Sequence, residues 1–275
     1  MSLGLAGLLK RAVFHANGRR PWSWGYLAAR DHVLRRALEV MAAGGRFEPA
    51  PGYGRAMDER VVEYPWFLEK LPQGTSRLLD AGSTLNYDLI LDHLPLDTLR
   101  LYITTLAPED NCYWRRGVSY VFEDVRNLSF KDGFFDCVAS ISSLEHVGMD
   151  NAIYTKASQF HENARKDHLK ALVQFRRVLR PGGSLLVTVP YGREANLGWF
   201  QQFGRDMLGE LVAGFGPAKI DIEFFRYGID GWKRARQAEC DDANYFDARV
   251  GRPVEADRAA AARAVACLCL VTEGH

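Results

Sequence analysis

From about residue 75 onward, short apolar runs alternate with stretches of helical spacing, and this alternation constrains the fold more than any other feature. Arg77–Ala81, Leu99–Ile103, Val118–Phe122, Phe135–Ile141 and Ser184–Pro190 read as five strands, and Ile220–Phe225 and Ala264–Val271 as two more. Strands separated by helices pair in parallel, because a helical crossover returns the chain to the same edge in the same direction, with a right-handed turn. The pattern predicts an α/β domain with a doubly wound, seven-stranded, mostly parallel sheet. Leu172, Phe175, Val178 and Leu179 give the helix before the fifth strand an apolar stripe, and Pro181-Gly182-Gly183 is its expected stop.

The first sixty residues differ. They hold ten Lys or Arg against five Asp or Glu. Leu27, Leu34, Leu38 and Met41 fall at helical spacing before Gly44-Gly45, and Pro21, Trp22 and Trp24 precede them. Residues 1–60 therefore read as an N-terminal helical extension and 61–275 as the main domain. A cap packed on that domain, a lid over an acceptor, and a basic, aromatic foot on anionic membrane all fit this composition. Over the whole chain, 35 basic and 34 acidic side chains leave a formal charge of +1, so nucleic acid is not the expected partner. The five cysteines are scattered without a CxxC pair, which disfavours a zinc ribbon or a disulfide framework. Near the start, positive charges follow a short apolar run instead of preceding it, unlike a signal peptide, and the run is too short to span a bilayer. The expected location is the cytoplasm, with the inner face of the membrane as the alternative.

In an open parallel sheet, ligands bind beyond the carboxyl ends of the strands, where the strand order reverses. The first such end is Leu79-Asp80-Ala-Gly82-Ser83-Thr84-Leu-Asn86. Gly82 allows a sharp turn there, and backbone N–H groups around it can hold an anion. Two further pieces follow in order: EDVRNLSFKDGFFDCVASISSLEHVG and FRRVLRPGGSLLVTVP. With LLDAGSTLN and a late apolar strand, they make the chain resemble the class I S-adenosylmethionine-dependent methyltransferases over roughly residues 60–272. The acid after the third strand, the L-S-F turn, F-D-x-V and L-E-H-V carry most of that resemblance. GMDN, GWFQQF and AAARAVACL look similar to uncharacterised members found among bacterial surface-polysaccharide genes.

The resemblance implies a Rossmann-like sheet, S-adenosyl-L-methionine as cofactor, and a role for each strand end. Asp80, Gly82, Ser83 and Thr84 are expected to face the methionine part of the donor, and Thr104 and Thr105 its ribose. Asp124 is expected to accept the adenine amino group, with Val125 offering backbone contact. Ser142 and Ser143 are expected beneath the sulfonium. Two departures stand out. Thr84 and Asn86 occupy positions where the family usually has glycine, and the second strand ends in threonines where the family has an acid, with Glu109 and Asp110 only several residues later.

Methyl transfer to a hydroxyl needs alignment and a base for the acceptor's proton. His146, just past the fourth strand, is the candidate base, and Glu145 the candidate to orient it or hold an acceptor hydroxyl; both residue types also serve as caps and structural hydrogen-bonding groups. Tyr154, in the long polar segment 148–168, joins Tyr191, Trp199, Gln201 and Gln202 as candidate acceptor contacts, since aromatic faces and amides suit a sugar ring. The same aromatics also suit a core. Asp241-Asp242 raises a magnesium site, but adjacent side chains diverge, so no metal is expected. The expected activity is methylation of a sugar hydroxyl in glycan biosynthesis, with a small-molecule or glycan acceptor as partner. A methyltransferase for lipid or quinone, protein or RNA, and a silent binding module of the same fold, are the alternatives.

Overall fold

The computed structural model describes residues 5–250 and 253–274. Residues 1–4, 251–252 and 275, and with them the outer ends of both expected segments, lie outside the described residues. In chain order the elements are α1 (Leu5–Ala16), α2 (Tyr26–Ala42), α3 (Arg60–Lys70), β1 (Arg77–Ala81), α4 (Asp88–Leu91), β2 (Arg100–Thr105), β3 (Ser119–Phe122), β4 (Phe135–Ile141) and α5 (Ala152–Thr155). They continue as α6 (His168–Val178), β5 (Leu179–Pro190), β6 (Ala195–Asn196), β7 (Gln201–Gln202), α7 (Arg205–Phe215), β8 (Lys219–Gly228), β9 (Gly231–Ala235), α8 (Gln237–Cys240) and β10 (Ala264–Val271).

The main sheet has the order β3-β2-β1-β4-β5-β10-β8-β9. The first five strands are parallel, and β10, β8 and β9 add antiparallel neighbours. Order reverses beside β1, so the crevice between the β1 and β4 tips is the natural ligand position. The sheet is doubly wound and mostly parallel, but it has eight strands, not seven. The additional one, β9, folds back on β8 through the two-residue connection Ile229-Asp230.

Alternation along the strands sorts side chains onto two faces. Leu78, Cys137, Ala139, Ile141 and Cys267 pack on one face with Phe14, Tyr26, Leu34, Leu38, Trp66 and Phe67 of α1, α2 and α3. Leu79, Val138, Leu185, Val187 and Leu268 pack on the other with Leu172, Phe175, Leu211 and Phe215 of α6 and α7. Each fully buried large apolar side chain contributes on the order of 1.5–3 kcal/mol. The helix before the fifth strand ends at Val178, and Pro181-Gly182-Gly183 already belongs to β5, opposite a register shift between Phe135 and Cys137. The expected stop is thus an irregularity in the strand.

The stretch before α3 is latched to the β8–β9 hairpin. Trp232 donates its backbone N–H to Tyr53 O at 2.8 Å and its indole N–H to Met57 O at 3.0 Å, and Ala56 N–H donates to the Tyr227 hydroxyl at 3.0 Å. Pro65 inside α3 cannot donate to Val61 O, and the Tyr53 hydroxyl donates to that carbonyl instead, at 2.6 Å. These bonds fix the first turn of α3, which reaches the strand tips.

Candidate active site

β1 ends at Ala81, and the next residue turns the chain through a space that admits no side chain. Gly82 has φ +126°, and a Cβ there would lie 2.2 Å from Ser143 Oγ and 2.4 Å from Ser143 Cβ. Its N–H donates to Thr104 O at 2.9 Å, tying the tips of β1 and β2. Thr84 and Asn86, which stand where the family usually has glycine, do not have positive φ; Ser83 (φ 63°) and Ser142 (φ 40°) adopt the left-handed region instead. Such strain clusters where a site holds its backbone in place. Thr84 and Asn86 act as struts. Thr84 Oγ1 donates to Ile141 O at 2.8 Å and lies 3.0 Å from Ser143 Oγ. Asn86 accepts from the Tyr120 hydroxyl at 2.7 Å and donates to Asn111 O at 2.9 Å.

These tips enclose a crevice of about 670 Å³. Eight of the ten expected donor contacts line it: Gly82, Thr84, Thr104, Thr105, Asp124, Val125, Ser142 and Ser143. Asp80 and Ser83 do not. Asp80 is buried behind the turn, where its Oδ2 accepts the Leu85 N–H at 2.7 Å, and burial pushes its carboxyl up to about 7. The acid missing from the β2 tip is supplied by the next loop, which folds back to place Glu109 and Asp110 in the wall. Asp124 reaches the crevice but is also clamped by Arg126, whose guanidinium binds Glu162 at 2.8 Å and Asp167 at 2.7 Å as well. Arg126 therefore ties the polar segment 148–168 to the tip of β3.

Beside this crevice lies a second cavity of about 410 Å³. Arg60, Ser142, His146 and Tyr154 belong to both. Trp22, Trp199, Phe200, Tyr245 and Phe246 give it aromatic walls, and Asp58, Glu59, Glu145 and Asp247 line it with carboxyl groups. His146 stands at the junction. Its Nδ1 lies 2.9 Å from Trp199 O, so this nitrogen carries the proton and donates, leaving the Nε2 lone pair free. Burial, helped by the Arg60 and Arg249 cations, holds the imidazole down at about 4. The ring is neutral at ordinary pH. Its position is set by Trp199 at 5.3 Å and Tyr154 at 5.6 Å between ring centroids, and the Arg249 guanidinium caps Trp199 at 3.8 Å. Glu145 makes no hydrogen bond to His146 and lies in the second cavity's wall. It is buried, its Oε2 has no partner among the described residues, and burial raises its carboxyl well above the usual range.

Three of the expected acceptor residues lie outside both cavities. The Tyr191 hydroxyl donates to Asp241 at 2.6 Å. Gln201 donates to Arg165 O at 2.8 Å, and Gln202 to Arg193 O at 2.7 Å and Ala243 O at 2.9 Å. They brace loops, because the β6–β7 ribbon turns both amides inward. Asp241 and Asp242 diverge toward Arg205 and Arg226. Sequence reading missed Arg60 and Glu63. Glu63 is fully buried, pairs with Arg60, and accepts from Ser142 Oγ at 2.6 Å and Thr188 Oγ1 at 2.7 Å, so α3 holds the left-handed Ser142. A lone carboxylate inside the apolar run Val61–Phe67 was the available signal.

The crevice fits a nucleoside-bearing methyl donor. Thr104 Oγ1 and Ser140 Oγ, which line the crevice, are buried without partners among the described residues, and such oxygens want ligand donors. The Gly82 cradle leaves backbone, not side chain, against the ligand space.

A family model described as a methyltransferase domain matches residues 102–187. No curated protein matches the chain. Among solved structures, the 4+2 cyclase SpnF is 20% identical with a TM-score of 0.52, covering 89% of this chain and 94% of its own. A 1,6-didemethyltoxoflavin-N1-methyltransferase from Burkholderia thailandensis, solved with its substrate and S-adenosylhomocysteine, is 14% identical with a TM-score of 0.45, covering 89% and 88%. A SAM-dependent methyltransferase from Thermotoga maritima is 15% identical with a TM-score of 0.46, covering 87% and 98%. Residues 102–187 thus match a methyltransferase-domain model on a Rossmann-like α/β fold, and the cofactor that this match implies is S-adenosyl-L-methionine.

Proposed function

We propose that this chain transfers a methyl group from S-adenosyl-L-methionine to an acceptor oxygen, and that the acceptor is a sugar hydroxyl in glycan biosynthesis. One observation carries the reading: a neutral imidazole with a free Nε2 sits where the donor crevice meets an aromatic, carboxyl-lined cavity. Thr104, Thr105 and the returning Glu109 and Asp110 would hold the ribose, Asp124 and Val125 the adenine, and Gly82 with Ser143 the methionine end. Bound there, the donor supplies a methyl group already activated by a sulfonium. The chain's own task is alignment and proton removal. Trp22, Trp199 and Tyr245 offer flat faces to the C–H side of a sugar ring, while Asp58, Glu59 and Glu145 meet its hydroxyls. With the donor supplying the methyl carbon and its thioether as leaving group, His146 Nε2 would take the acceptor hydroxyl's proton as that oxygen attacks. General-base help of this kind is worth about 10²–10⁴-fold.

The fold alone does not name a reaction; SpnF, with the same architecture, is a cyclase. Labelled-methyl transfer from tritiated donor onto a panel of sugars and sugar nucleotides tests the proposal. Label in an ether-linked sugar, lost in His146→Ala, is the expected result. Label on nitrogen, or full turnover by His146→Ala, overturns it.

A further inference from the structure

A cavity of about 480 Å³ opens between α1 and α2, separate from the donor crevice and its neighbour. Arg11, Arg19, Arg55, His15 and His32 line it, and no carboxylate does. Among the described residues, none of the three arginines forms a salt bridge. The positive potential is felt by both imidazoles: burial, then Arg19 and Arg11, hold His15 below its ordinary value, and burial, then Arg11 and Arg36, do the same to His32. Arg19 Nε donates to His15 Nδ1 at 3.1 Å, but none of the three charges is neutralised, and three such guanidinium groups around a concave space are a receptor for an anion with several oxygens.

Leu8 makes part of this cavity's rim apolar, and exposed apolar side chains continue along α1 and the segment after it. Leu8 lines it at 44% exposure, and Leu5 and Leu9 on the same helix are 86% and 60% exposed. Trp24 and Leu27, on the loop and first turn that follow, are each 55% exposed. A soluble anion has no use for such a rim. An anionic lipid has, because its phosphate and its acyl chains meet these two kinds of surface at once. The basic excess is confined to the first sixty residues of a chain whose overall charge is only +1. No helix among the described residues is long and apolar enough to cross a membrane, so the contact is peripheral.

We propose that the α1–α2 cavity is a phospholipid-headgroup site, in which Arg11, Arg19 and Arg55 hold a lipid phosphate while Leu5, Leu8 and Leu9 enter the acyl boundary of an anionic bilayer. The proposal is independent of the acceptor's identity, since none of these residues lines the donor crevice or its neighbour.

Sedimentation of the full chain with vesicles tests it. Binding to phosphatidylglycerol–phosphatidylcholine vesicles should exceed binding to phosphatidylcholine alone at least tenfold and weaken with salt. One cation near an anionic surface is worth roughly five-fold in affinity, so Arg11→Gln/Arg19→Gln/Arg55→Gln should lose ~10²-fold. Leu5→Ser/Leu9→Ser, which removes no core side chain, should also weaken binding tenfold or more. Equal binding to both vesicle types, or undiminished binding by either variant, overturns the proposal. Displacement from the vesicles by inorganic phosphate, but not by chloride at matched ionic strength, overturns the lipid assignment in favour of a free-phosphate site. Tighter binding to a single-stranded RNA than to the anionic vesicles overturns it as well.

Discussion

The Gly82→Ala substitution probes the site where the backbone turn and the ligand space are one feature. Two penalties combine at this position. A residue with a Cβ held at φ +126° pays a conformational penalty of about 1–3 kcal/mol. The new methyl group also lands 2.2 Å from Ser143 Oγ, where ordinary contact begins at 3.4 Å, so Ser143 or the β1 tip must retreat by more than an ångström. Overpacking of this kind costs a further ~1–3 kcal/mol. Gly74→Ala is the matched control, because Gly74 also has a left-handed φ (+78°) but nothing within 4 Å of its added Cβ. The reduced freedom of the unfolded chain is common to both variants and cancels in the difference.

Urea unfolding should therefore place Gly82→Ala below Gly74→Ala by about 1–3 kcal/mol. Calorimetry with S-adenosylhomocysteine should show at least a tenfold weaker Kd for Gly82→Ala and an unchanged one for Gly74→Ala. Adding Ser143→Gly to Gly82→Ala empties the clashing volume, so it should recover the packing part of the loss and leave the backbone part. Equal stability of the two alanine variants, with ligand affinity within two-fold of the parent, would refute the reasoning.

Three other outcomes are expected. His146 is held at about 4 and is competent when neutral, so kcat/KM should stay level through pH 6.5 and fall only as pH drops toward about 4; an acid limb near 6.5 would show that another group limits the rate. Glu59 is pushed up to about 8 from an ordinary 4.5, chiefly by burial and then by Glu63 and Asp58, so the folded state keeps its proton. Its stabilising contribution is full below pH 4.5 and is lost as pH rises through about 8, and Glu59→Gln should therefore gain urea resistance relative to the parent between pH 5 and pH 8.5. Asn86→Ala and Tyr120→Phe should each destabilise by roughly 0.5–1.5 kcal/mol and be non-additive in the double variant, since they remove the same 2.7 Å bond.

The sheet was most legible where burial on both faces left the sequence no choice but apolar residues. β1, β4 and β10 have the bounds their apolar runs indicate, because each crosses the middle of the sheet with both faces covered. β9 left no such trace. It lies at the sheet edge, its one large buried side chain is Trp232, and its turn, Ile229-Asp230, lacks the Asn-Gly or Asp-Gly signature. Strand tips were legible through the family resemblance, which assigned Gly82, Thr104, Thr105, Ser142 and Ser143 to the strand ends, and residues that end a parallel strand lie at the crevice. Tyr191, Gln201 and Gln202 follow β5 at the correct edge, but the short β6–β7 ribbon decides which way they point, and two-residue strands carry no periodic signal. Arg60 and Glu63 were hidden because charges in a first helical turn look like a solvated face; only their burial against Ser142 and Thr188 shows otherwise.

That contrast divides the site into two halves of different origin. The donor half is built largely from consecutive strand ends, so most of the positions that the resemblance assigned to it do line the crevice. The acceptor half is assembled from Trp22 and Arg30, from the Asp58–Arg60 step into α3, and from Trp199, Phe200 and the 245–249 and 260–261 segments. None of these belongs to a strand of the main sheet, and Trp22 and Ala260 are 238 residues apart in the chain. What joins them is a set of specific bonds: the Trp22 indole donating to Ala260 O at 2.7 Å, Arg30 on Asp58 at 2.8 Å, and Ala262 N–H on Glu59 at 3.2 Å. Residues before α3 therefore wall the acceptor cavity while the sheet walls the donor crevice, and His146, at the end of β4, is the point at which the two meet. Substitutions at Trp22 and Arg30 should change which acceptor is taken and leave donor binding alone, because neither side chain lines the donor crevice.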